Sequence, residues 1–248
     1  MNSMPGIKQL VLTVLSCVFL AALGTAVGGA DKPAAPNALT EAEKAAGWRL
    51  LFDGKSADAW RAYRGNALPP EWRVAGGELQ LHDKGGKLAT GIVTRDEFAD
   101  FELSLEWRIS RGGNSGVLYR VSEQHAPPHD SGPEMQILDD DRYPAPKNPP
   151  ERRAASCYDV YAPSAKVSVV PGQWNRVRIV ARGNHVEHWF NGVKVVDYEI
   201  GSPDWRARVA RSKFAKSPFY GKEARGHILL QQHGYDVAFR DIKIRALD

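Results

Sequence analysis

The stretch EHWFNGVKVVDY, residues 187–198, decides the reading of the fold. Asn-Gly suits the two left-handed central positions of a tight hairpin turn, and here Asn191-Gly192 separates two runs with alternating apolar positions. Working outward, WRVAGGELQL (72–81) repeats the device around Gly76-Gly77. FADFELSLEWRIS (98–110), NSGVLYRVS (114–122), PEMQIL (133–138) and QWNRVRIVARG (173–183) are each of strand length and closed by Gly, Pro, Asn or Asp. Strand follows strand with no βαβ alternation, which predicts an all-β, antiparallel two-sheet sandwich of jelly-roll type. One or two short helices fit beside it. Thr40 followed by Glu43 makes a capping box, and Trp205 and Val209 lie one turn apart. The segment around the second pair, WRARVARSKFAKSPFYGKEARG (205–226), reads as a short amphipathic helix with a solvated basic side.

With 43% apolar and 25% charged residues over 248 positions, disorder is excluded as the default. Lys8 precedes an apolar run from Leu10 to Leu23, and small residues continue to Ala30. Residues 1–30 therefore read as a secretory signal, the run being too short for a membrane span. A lipoprotein site at Cys17 is the rival, disfavoured because apolar residues continue past the cysteine. Residues 31–46 read as a leader and 47–248 as a single domain, exported to the periplasm or beyond. After cleavage only Cys157 remains, so no intrachain disulfide can form and a buried thiol is expected. The net charge of +4 does not indicate nucleic acid, since the basic residues gather in one segment without a sheet of interleaved aromatics. Two proline-rich stretches, SEQHAPPHDSGP (122–133) and DDDRYPAPKNPPERR (139–153), are long enough to be functional loops.

Alternation along extended chain sorts the strands by face. Phe101, Leu103, Leu105, Trp107 and Ile109 form an apolar face, opposite Glu102, Ser104, Glu106 and Arg108. In GHILLQQHGY (226–235), Ile228 and Leu230 are expected to face the core, leaving Gln231 and His233 in a groove. Treated likewise, the other strands yield one polar set: Glu106, Arg120, Glu134, Gln136, Gln231 and His233. If their strands are neighbours in one sheet, the set lines one surface.

The stretches WRLLFDGKSADAW, GNSGVLYR, PEMQILD and HILLQQHGYDVAFRDIKI, in this order, resemble the DUF1080 family, the 3-keto-disaccharide hydrolase domain. The resemblance implies a jelly roll like that of concanavalin A and the laminarinases. It also implies processing of glycosides already oxidised at C3. Ordinary glycosidases need two carboxyl groups flanking the bond. Jelly-roll glucanases commonly carry them as Glu-x-Asp-x-Glu, whereas here the stretch is Glu134, Gln136, Leu138; Asp139 points away unless a bulge intervenes. A 3-keto sugar relaxes the requirement, because the ketone acidifies the C2 hydrogen. One base, a donor for the enolate oxygen and an acid for the leaving oxygen suffice. His233 and Glu134 are the candidate bases. Arg120 suits the enolate, or else pairs with Glu106 or Glu134 as a structural bridge. Glu106, Gln136, Gln231 and Asn114 are candidate sugar-binding residues, and Trp189 could stack on a sugar ring. A divalent metal on Glu134, His233 and Asp139-Asp140-Asp141 is conceivable, although no spacing is diagnostic and the triplet also reads as a solvated loop. The alternative function is a non-catalytic carbohydrate-binding module.

Overall fold

The computed structural model describes Met1 and residues 35–83, 91–144 and 148–247; the signal segment and Cys17 lie outside them. In chain order the strands are β1 (Arg49–Leu50), β2 (Trp60–Ala62), β3 (Trp72–Ala75), β4 (Glu78–Leu81), β5 (Ile92–Thr94), β6 (Phe101–Ile109) and β7 (Asn114–Val121). There follow β8 (Glu134–Leu138), β9 (Asn175–Arg182), β10 (His185–Phe190), β11 (Val193–Glu199), β12 (His227–Leu230) and β13 (Val237–Ala246). They form two antiparallel sheets. One runs β11-β10-β9-β6-β13-β4-β3, with β1 added on β13; the other runs β2-β5-β12-β7-β8. The hairpins fall where the turn dipeptides put them: Asn191 and Gly192 have φ of 46° and 86°, and Gly76 and Gly77 have 59° and 75°. Positive φ at both central positions is the geometry that follows the twist of the flanking strands.

Between the sheets, Phe101, Leu103, Leu105, Trp107 and Ile109 of β6 meet Val117, Tyr119, Met135, Ile137, Ile228 and Leu230 in one core. The outer face of the five-stranded sheet is not the wet surface that alternation predicts. Val93, Leu118, Val121 and Leu229 there are fully buried against Tyr63. Glu134, Gln136 and Asn114 on this sheet are buried as well, so the set does not line an open, solvated groove.

Leu118 and Val121 share this cluster although three residues apart, because β7 carries a bulge. Its register with β12 slips between His227 and Leu229, and Arg120 has φ of 52°. An extra residue reverses the alternation that follows it. Arg120 therefore leaves the face of Leu118 and donates to the Ala99 carbonyl at 2.9 and 3.1 Å and to Asp100 Oδ1 at 3.2 Å.

Two helices complete the described residues. α1 (Glu41–Ala45) has the expected capping box between Thr40 and Glu43. The residues around it are not a loose leader: Asn37 bridges the Gly77 carbonyl and the Asp241 amide, and Glu43 accepts from Lys243 at 2.6 Å. α2 (Pro203–Val209) is capped by Ser202. It is the expected amphipathic helix, with Trp205 buried and Arg206 exposed. Trp205, Phe214 and Tyr220 are buried, and Trp205 stacks between Tyr198 and Tyr220, whose far side stacks on Phe214 at 3.9 Å.

Candidate active site

Glu134 opens β8 opposite Leu118 of β7, on the outer face of the five-stranded sheet, and is 3% exposed. Its carboxylate lies over Gly116, where a Cβ would come within 2.0 Å of Oε1. A glycine is thus needed for space and not for its backbone angle. Beside it, Gln136 and Asn114 are also buried. The Gln136 amide satisfies its neighbours when its nitrogen faces Glu134 Oε1 at 3.2 Å and the Ser115 carbonyl at 3.0 Å, leaving its other end 3.2 Å from the Asn114 side chain. The strand β12 stops at Leu230, one residue short of the polar pair, but the Gln231 amide continues the pairing by donating to the Gly116 carbonyl at 2.9 Å. Ser115 Oγ donates to the Gln231 carbonyl at 2.8 Å. Gln231 Oε1 is buried without a hydrogen-bond partner among the described residues. Asn114, Gln136, Gln231 and Glu134 therefore do converge.

Burial dominates the electrostatics of Glu134 and raises its pKa to about 7, against an opposing pull from the Lys213 ammonium. Among the described residues no second carboxylate contributes to that shift. Lys213 comes from the basic segment, in the short 3-10 turn Lys213–Lys216. Its ammonium stands 4.4 Å from the Tyr158 ring centroid and 5.0 Å from that of Phe214. The residue is exposed, yet desolvation of its head lowers the pKa, with Glu134 and Asp159 pulling the other way. Tyr158 is fixed next to Glu134 because its amide donates to the Glu134 carbonyl at 2.9 Å. Asp159, at φ 63°, holds Arg152 Nε at 2.5 Å and the Lys213 amide at 2.6 Å.

His233 is half-buried, and its pKa falls below 6.5 through desolvation, with smaller contributions from its own backbone, which raises it, and from Lys213. His129, in the short turn Pro128–Asp130 before β8, is lowered in the same way and also by Lys213. Both imidazoles are therefore neutral at pH 7 and feel the cation that acts on Glu134. Lys213, Tyr158, His129 and Asp159 escape a reading based on strand alternation, since all four sit on loops. One signal was present: Phe214, Phe219 and Tyr220 interleave with the lysines, which a wholly solvated segment would not need.

Three expected residues lie elsewhere. Arg120 is carried to the opposite side by the bulge. Glu106 belongs to the eight-stranded sheet, where Arg176 and Arg240 hold it at 2.8 Å each. Trp189 is on that sheet too, with the Arg178 guanidinium 4.0 Å above its ring and its Nε1 donating to Glu187. Assuming a single polar surface placed β6 in the wrong sheet. Nor do Glu134, His233 and Asp139 to Asp141 gather into a metal-holding group. Among the described residues the one such trio is His185, Glu187 and Asp197, where Lys194 already bonds both carboxylates. Asp139 is buried, not solvated, and is consumed by the Gly112 amide at 2.8 Å and Arg142. A cleft of about 430 Å³, lined by Gln80, His82, Arg108, Ser110, Arg111 and Asp236 among others, contains none of the residues around Glu134.

Residues 47–245 match the family described as the 3-keto-alpha-glucoside-1,2-lyase-like domain. The chain is 31% identical over 214 residues to a protein of Bacteroides thetaiotaomicron named 3-keto-disaccharide hydrolase, covering 75% of this chain and 73% of that one. A crystal structure from Parabacteroides distasonis, provisionally described as a glycosyl hydrolase, superposes with a TM-score of 0.80 at 35% identity, covering 86% of this chain and all of the other. A Bacillus subtilis protein of galectin-like fold, at 12% identity and a TM-score of 0.50, covers 77% of this chain and 92% of its own and shares the fold alone.

Proposed function

Because the chain belongs to the 3-keto-alpha-glucoside-1,2-lyase-like domain family, we propose that it cleaves glycosides already oxidised at C3, with Glu134 as the base at C2. The observation that carries this reading is a buried carboxyl, raised to about 7, on which no second carboxylate among the described residues acts. Among the described residues no carboxylate couples to Glu134 as the partner in two-carboxylate hydrolysis would, whereas abstraction of an acidified C–H needs only one base poised near the working pH. Glu134 takes the C2 proton, and the C–H electron pair moves into the C2–C3 bond, leaving an oxyanion at C3. Its collapse restores the ketone, forms C1=C2 and expels the C1 oxygen, which leaves with the proton that Glu134 took and so regenerates the base. Water then adds, its oxygen to C1 and its proton to C2 by way of His233. A neutral His233 is in the form that can accept a proton from that water. Asn114, Gln136 and Gln231 supply amide groups for sugar hydroxyls. Export, read from residues 1–30, belongs to the same proposal.

The test is direct. The purified chain should turn over a 3-keto-glucoside and leave the matching unmodified glucoside intact, with a rate that rises as pH passes about 7 and the carboxyl ionises. Glu134→Gln should lose at least about 100-fold in kcat while still binding the substrate. Turnover of the unmodified sugar alone, or of neither, refutes the reading; loss of binding without loss of rate points to a carbohydrate-binding module.

A further inference from the structure

The chemistry above needs a donor for the C3 oxyanion, and Arg120 is not there to provide it. We propose that Lys213 is a catalytic residue: its ammonium, held over the rings of Tyr158 and Phe214 beside Glu134, receives the oxyanion that forms when C2 is deprotonated. This rests on the reading of Glu134 as the base. Three observations lead to it. The Lys213 ammonium makes no hydrogen bond and no ion pair among the described residues, although Asp130, Asp159 and Glu134 all lie within its field. Each of the first two is otherwise engaged, Asp130 by Ser217 Oγ at 3.1 Å and Asp159 by Arg152 and the Lys213 amide. The cation is thus not spent on a structural bridge. It is also placed with care: Asp159 pins the Lys213 backbone to the segment that carries Tyr158, and Tyr158 is itself bonded to the Glu134 backbone. Base and cation are fixed to each other through one short run of chain. Finally, the aromatic faces strip water from the ammonium without neutralising it, and a partly desolvated, preorganised cation stabilises developing negative charge far better than a hydrated one.

The step is balanced without further reagents. The C2 proton goes to Glu134, the electron pair to the C3 oxygen, and Lys213 donates a hydrogen bond to that oxygen until the ketone re-forms. 1,5-Anhydro-3-keto-glucitol isolates the step, since it has the C2 hydrogen but no leaving group at C1. Exchange of that hydrogen in D2O is followed by proton NMR, and the Glu134 carboxyl is titrated by carbon-13 NMR. Lys213→Met, which keeps a stem of similar length against the rings, should slow exchange about 100-fold, as loss of one oxyanion donor does. It should also raise the Glu134 pKa, because a neighbouring positive charge is gone. Lys213→Arg should recover part of the exchange rate and leave the carboxyl near its original pKa. Exchange by Lys213→Met within threefold of wild type overturns the assignment and leaves Glu134 as base untouched. A wild-type chain that exchanges nothing at C2 overturns both, and the two failures are told apart by the wild-type measurement alone.

Discussion

At the scale of single residues, the site depends on an atom that is missing. A Cβ at position 116 would lie 2.0 Å from Glu134 Oε1 and within 2.9 Å of its Cδ and Cγ. With Glu134 almost wholly enclosed, the carboxyl cannot swing into solvent to make room, so Gly116→Ala must push it off its position. A displacement of about 1 Å is enough to cost about 100-fold in rate when a reacting group is held in a preset geometry. Gly116→Ala should therefore lower kcat by about that factor, while overpacking costs only about 1–3 kcal/mol of stability. Steady-state kinetics beside a urea titration separates the two, and an unchanged kcat would mean that the carboxyl position is immaterial. Alternation along β7 and β8 was enough to pair Glu134 with Gln136 and to point both away from Met135 and Ile137. It could not reveal Lys213 or Tyr158, because their placement comes from loop conformation and aromatic stacking, which have no period to read.

At the scale of elements, strands were legible wherever side chains alternate without interruption. Residues 101–109 show this best, with an apolar face as written and a polar face laced by arginines to the neighbouring strands. Sheet membership was not legible, since Glu106 and Glu134 look alike in isolation and only the pairing of β6 with β9 and β13 separates them. The β7 bulge was equally hidden: a non-glycine residue at φ 52° gives no compositional warning. Its consequence is testable. Arg120 is 3% exposed, and it ties the loop before β6 to β7 through the Ala99 carbonyl and Asp100, which also accepts from the Gly183 amide at 3.0 Å. Arg120→Ala removes a buried guanidinium and its bonds to two part-exposed acceptors, and a loss of about 2 kcal/mol is expected from such a cut. Because the guanidinium lies on the side away from Glu134, kcat of the folded protein should stay within about twofold. The reverse pattern, intact stability with a collapsed rate, would return Arg120 to the site.

At the scale of the whole molecule, two fully buried titratable groups bias stability in opposite directions. His188 lies in the core, accepting or donating at 2.9 Å with the Tyr119 hydroxyl, and burial lowers its pKa to about 4. The unfolded chain thus binds more protons there between about pH 4 and the ordinary histidine value near 6.5, and stability falls as pH drops through that window. Glu134 acts the other way. Its folded pKa of about 7 stands above 4.5, so the native state holds the extra proton and stability falls as pH rises from about 4.5 to 7. The two slopes oppose each other between about pH 4.5 and 6.5, which predicts a nearly level stability there and a decline above it. Glu134→Gln removes only the second slope. A shift of about 2.5 units corresponds to about 3 kcal/mol, an upper bound for a group whose surroundings can relax. The variant should therefore match wild type near pH 4.5 and exceed it by up to about 3 kcal/mol at pH 8, read from urea unfolding at both values. That gain would measure what the fold gives up to keep an ionisable carboxyl out of water. An amide that brings no advantage at pH 8 would mean that Glu134 is ordinarily solvated and unsuited to be the base.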